Sequence, residues 1–98
     1  MQFLALSRRL TERFTDAEFA ARIEAEVEQA RALYAEGLIR HIWHRADIAG
    51  ACMILEADSE VHARERLATL PLYQAAMLDV IIVPLKPYGG FCPRPPAP

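Results

Sequence analysis

The chain has 98 residues, enough for one domain and one small core, and 53% of them are hydrophobic, which excludes intrinsic disorder. Eleven Lys+Arg against thirteen Asp+Glu leave a net charge of −2, so the basic footprint of a nucleic-acid binder is missing, and a single lysine, Lys86, argues against Schiff-base chemistry. No run reaches the roughly 18 apolar residues of a membrane span, and the apolar start Met1-Gln2-Phe3-Leu4-Ala5-Leu6 carries its arginines after the run, unlike a signal peptide. The expected compartment is therefore the cytoplasm, with Cys52 and Cys92 as reduced thiols.

Residues 2–7 are short and apolar and read as a strand, followed by a polar connection over residues 8–14. Thr15-Asp16-Ala17-Glu18 has the spacing of a capping box, which predicts a helix running to about Glu36, with Gly37 just past its end. Its apolar stripe is Phe19, Ile23, Val27, Ala30 and Tyr34. With Ile23 at 0° and 100° per residue, Glu26 falls at about −60°, between Phe19 and Leu33. It is the one charged side chain of the central helix inside the apolar sector. A carboxylate there is expected to have a raised pKa, the condition that general acids and bases use. The bland alternative places it at the rim of the sector, paired with an arginine.

Residues 38–45 read as a second strand and residues 51–57 as a third, joined as a hairpin by Ala46-Asp47-Ile48-Ala49-Gly50. On a regular strand Arg40, Ile42 and His44 share one face, and Ile39, His41 and Trp43 the other. His41 beside Trp43 fits a pocket wall with one proton-carrying group, and Arg40 fits a carboxylate. His41 and His44 point to opposite faces, so no metal site is expected. Asp58-Ser59 caps a second helix from Glu60 to about Leu70, with Pro71 as its stop. Residues 77–85 form a last strand, placed at a sheet edge by Pro84.

The order strand, helix, strand, strand, helix, strand is the α+β ferredoxin-like βαββαβ unit: a four-stranded antiparallel sheet with two helices on one face. It spans residues 1–88, and residues 89–98 form a Pro/Gly-rich tail, loose over residues 93–98. The third and last strands are apolar on both faces, through Met53 and Leu55 against Cys52 and Ile54, and Val80 and Ile82 against Ile81 and Val83. A sheet with helices on one side should be polar on the other if it meets water. The expected cover is a second copy, giving a homodimer packed sheet to sheet. No Gly-rich phosphate loop precedes a helix, so no nucleotide cofactor is implied.

Four features together resemble the muconolactone Δ-isomerase family: Glu26 eleven residues before Gly37, the run Glu36-Gly37-x-x-Arg40-His41-x-Trp43, the segment Leu70-Pro71-Leu72-Tyr73, and Met77 leading the last strand. The resemblance implies an oligomeric dimeric α/β-barrel fold. It also implies a cofactor-independent shift of a double bond in an unsaturated lactone, a step of the β-ketoadipate route of aromatic catabolism. Under it, Glu26 is the proton shuttle. Arg40 and His41 hold a substrate carboxylate or stabilise developing charge, and Trp43 and Tyr73 shape the pocket. The stretch Ala49-Gly50-Ala51-Cys52 departs from the polar and aromatic pattern of the family, which puts substrate contacts from that strand in doubt. Two alternatives stand beside the isomerase: a non-catalytic, small-molecule-binding oligomeric relative, and a cofactor-free oxygenase of the same superfamily.

Overall fold

The computed structural model describes residues 1–91. The expectations for Cys92 and for a loose segment over residues 93–98 lie outside the described residues. Strand β1 (Gln2–Arg9) is followed by the short helix α1 (Asp16–Ala20) and by α2 (Ile23–Ala35). The hairpin β2 (Ile39–His44) and β3 (Ala51–Glu56) leads to α3 (Glu60–Leu67) and α4 (Pro71–Gln74), and β4 (Leu78–Pro84) closes the sheet. The four strands lie in the order β2-β3-β1-β4, all neighbours antiparallel. This is the ferredoxin-like order, with β4 at an edge as Pro84 required.

Strand register sorts the side chains into two faces, because directly opposed residues share a face. Ala5 pairs with both Met53 and Ile82, and Phe3 with Leu55. These are buried under the helices together with Leu33, Leu67 and Leu70. On the other face Leu4 lies between Ile54 and Val83, and Leu6 between Cys52 and Ile81. Among the described residues no helix covers that face, and Ile81 and Val83 are 58% and 41% exposed.

Three sequence expectations are corrected. The helix expected from Thr15 to Glu36 is two helices, broken at Ala21 and Arg22. Phe19 leaves the stripe and packs with Leu72 and Met77 in a satellite cluster, which gives α1 its own direction. The face of α2 turned inward is then centred on Leu33, Ala30 and Glu26, while Val27 and Tyr34 stay exposed. The second helix ends at Leu67, and Pro71 begins α4 instead of stopping α3. Proline suits that first position because its missing N–H would have no helical partner there. Third, a bulge between Ile39 and His41 shifts the β2 register, so Ile39 joins Ile42 and His44 on the helix side.

The end of α2 follows its sequence signal. Gly37 has φ +88°, Leu38 N–H donates to Leu33 O and Gly37 N–H to Tyr34 O, both at 3.0 Å. These are the two bonds of a Schellman motif, sealed by the buried pair Leu33 and Leu38.

Candidate active site

A cavity of about 480 Å³ lies between α2 and the helix-side face of the sheet. Strand parity explains its sheet wall. Ser7 and Arg9 continue the helix-side face of β1 beyond Ala5, and Ala51 and Met53 do so on β3. Ile42 and His44 are brought in by the β2 bulge, and Glu26, Val27 and Ala30 of α2 face them. Leu70 and Leu72 complete a largely apolar pocket that is open to solvent past Tyr34, Ile42 and Trp43.

The hairpin can approach this closely only through glycine. A Cβ at Gly50 would sit 2.1 Å from the Ser7 carbonyl oxygen. The buried Ser7 hydroxyl accepts from Ala51 N–H at 3.0 Å and donates to Ala51 O at 3.4 Å, which locks β1 to β3 at the cavity wall. The glycine at position 50 is therefore a packing requirement here.

Glu26 is half-buried in the cavity wall. Its Oε1 accepts from Leu72 N–H at 2.9 Å. That donor is one of the free N–H groups that begin α4, since Pro71 has none and Leu70 supplies no side-chain cap. Burial pushes the Glu26 carboxyl above its ordinary value, and the Leu72 N–H and the Arg9 charge pull it partly back. The Leu72 bond is the side chain's one hydrogen bond among the described residues, so Oε2 remains uncommitted. Such a carboxyl can take and return a proton inside a largely apolar enclosure.

The other candidate residues are distributed unevenly. Trp43, 53% exposed, contributes to the lining. His41 lies on the uncovered sheet face and stacks on Trp43, with ring centroids 5.4 Å apart and planes at 15°. Arg40 is exposed in the bulge, and its Nε donates to Gly37 O at 3.1 Å. Tyr73 packs against the main core, while its neighbour Leu72 is the one that reaches the cavity. Within one chain, Glu26 and Trp43 both contribute to the cavity lining, Trp43 from a strand position whose pairing with Cys52 belongs to the open sheet face, and Arg40, His41 and Tyr73 do not line it. Sequence reasoning missed Arg9, Ser7, His44 and the Leu72 N–H. Parity could have found Arg9, which stands two and four residues beyond Ser7 and Ala5 on one face of a strand expected to end at Ser7. Among the described residues, no three His, Cys, Asp or Glu side chains converge as metal ligands, and no helix is long and apolar enough to cross a membrane.

The architecture has solved counterparts. A crystal structure of muconolactone isomerase superposes with a TM-score of 0.74 at 24% identity, covering 90% of this chain and 91% of that one. The 5-chloro-2-hydroxyhydroquinone dehydrochlorinase of Burkholderia phenoliruptrix AC1100, in complex with 2,5-dihydroxybenzoquinone, has a TM-score of 0.65 at 19% identity, covering 88% and 94%. At these identities the likeness is one of fold. A search of curated proteins gives no match. The family model for muconolactone delta-isomerase matches residues 1–90, and with nearly the whole chain inside that match, this protein belongs to the muconolactone delta-isomerase family.

Proposed function

We propose that this chain is a cofactor-independent isomerase that shifts a double bond within an unsaturated lactone, with Glu26 carrying the proton. One observation supports the reading above the rest: a half-buried carboxyl with a raised pKa and one uncommitted oxygen, the one acid in a largely apolar cavity. Ionised Glu26 removes a proton from the ring carbon at the far end of the conjugated system. The electron pair moves into a dienolate, and the now neutral Glu26 returns the proton two carbons away, next to the carbonyl. Atoms and electrons balance without an oxidant or reductant. The Leu72 N–H fixes the carboxyl's direction, and bound substrate against the largely apolar walls would limit proton exchange with water. Trp43 serves as a wall and Tyr73 supports the segment that holds Leu72. Arg40 and His41 belong with the β2 edge and open sheet face, which a second copy of the chain covers in this reading. Such a reaction belongs to aromatic-compound catabolism in the cytoplasm.

A second reading has its own observation. The bond from Leu72 N–H gives Glu26 a structural task, capping α4 from another helix, and the chain would then be a binding module. Glu26→Gln separates the two, because the glutamine Oε1 can accept the same bond. The isomerase reading expects muconolactone turnover by the wild type and a loss of about 10²–10⁴-fold in Glu26→Gln with thermal stability kept. Absence of turnover by the wild type favours the binding module.

A further inference from the structure

We propose that Arg9 is the anion anchor of the cavity, holding a carboxylate carried by the substrate while Glu26 acts on its unsaturated part. The inference rests on the reading of the Glu26 cavity as the reaction site.

Several arginines of the described chain are already committed. Arg8 is bound to both oxygens of Glu12 at 2.9 and 3.0 Å, Arg45 to both of Asp47 at 2.9 and 2.7 Å, and Arg66 to both of Glu36 at 2.9 Å. Arg40 is turned back onto the Gly37 carbonyl. Arg9 differs. It is half-buried in the wall of the cavity that holds Glu26, and its side chain forms no ion pair among the described residues. Its guanidinium carbon lies 5.3 Å from the centroid of the Phe19 ring, which holds the group by cation–π attraction and satisfies none of its five N–H donors. Arg9 is near enough to Glu26 to bias its protonation, yet beyond ion-pair distance.

A half-buried cation without a partner is costly, and an arriving carboxylate offsets that cost with bidentate, charge-assisted bonds. The charge balance agrees. Arg9 and Arg31 line the cavity against a single acid, Glu26, which burial drives toward its neutral form. Arg31 is exposed, so water screens it more than Arg9. An anionic substrate is therefore favoured over a neutral one, and the anchor separates binding from chemistry: Arg9 grips the carboxylate and Glu26 moves the proton.

The test is calorimetric titration of a saturated γ-lactone with a carboxymethyl arm, and of its methyl ester, into wild type, Arg9→Gln, Arg9→Lys and Arg31→Gln. Wild type should bind the acid more tightly than the ester. Arg9→Gln should lose about 10- to 100-fold for the acid and little for the ester, with Arg9→Lys recovering part and Arg31→Gln changing the ratio least. The acid-to-ester ratio guards against misfolding, which would weaken both ligands alike. In turnover, Arg9→Gln should raise KM with kcat nearly kept. Equal effects on acid and ester, no effect on either, or a fall in kcat at unchanged KM would overturn the assignment. If the wild type turns over no lactone but Arg9→Gln abolishes acid preference, the isomerase reading fails and the anchor stands.

Discussion

At the residue scale, Glu26 combines two demands on one side chain. Its Oε1 completes the start of α4, and its burial makes the charged form costly. The folded protein therefore holds the Glu26 proton more tightly than the unfolded chain does. It follows that Glu26's own contribution to native stability is fully present below the unfolded carboxyl range, about 4.3 for glutamate, and is lost as pH rises from there through the raised folded value. Glu26→Gln removes that dependence. Urea denaturation at about pH 4 and pH 7 should find the glutamine variant gaining on wild type at the higher pH, and a difference that stays constant would count against the buried-carboxyl account. Catalysis has the opposite sign, since the base works ionised: kcat/KM should rise with pH along a limb displaced above the usual glutamate range.

At the element scale, the chain ends its helices in the left-handed region twice, once with the residue suited to it and once without. Gly37 at φ +88° closes α2, and Ala76 at φ +56° closes α4, where Met77 N–H donates to Leu72 O and Ala76 N–H to Tyr73 O at 3.0 Å. A Cβ in this region costs about 1–2 kcal/mol, while glycine adds roughly 0.5–1 kcal/mol of unfolded-state entropy. Gly37→Ala is expected to lower stability by about 1 kcal/mol, and Ala76→Gly to raise it by about 0.5 kcal/mol. Thermal melts check both, and equal shifts of the same sign would contradict the backbone argument. Capping signals were legible for a local reason. The Thr15 hydroxyl accepts from Glu18 N–H at 3.2 Å, while the Glu18 carboxylate accepts from Thr15 N–H at 2.9 Å, so four consecutive residues suffice. The break at Ala21 and Arg22 carries no glycine or proline. It follows from Phe19 docking against Leu72 and Met77, far along the chain.

At the scale of the whole molecule, the apolar excess is divided between two places. One part fills the core under the helices. The rest lies on the open sheet face, where Leu4, Leu6, Cys52, Ile54, Ile81 and Val83 stand in register beside His41 and Trp43. An exposed apolar face of this size is the kind of surface that proteins bury by association. We expect a homodimer or larger assembly through it. Light scattering coupled to gel filtration at micromolar concentration should give at least twice the mass of 11.0 kDa, and Ile81→Lys with Val83→Lys should reduce it. A monomeric wild type would remove the dimer from the proposal.

The sequence by itself determined the order of the elements, the caps at Thr15 and Gly37, the two-sided apolar sheet and Glu26 as the odd acid in an apolar sector. Each of these is written in neighbours a few residues apart or in a period of two or 3.6. Tertiary structure alone decided which residues share the cavity. A bulge beside Arg40 set Ile39, Ile42 and His44 on the helix side and left His41 outside it, and two further residues of strand brought Arg9 into the same cavity as Glu26. The Leu72 N–H became a partner for Glu26 only because Pro71 starts a helix where the local signal marks an end. That last bond joins residues 46 apart in the chain, a separation that local propensity does not encode.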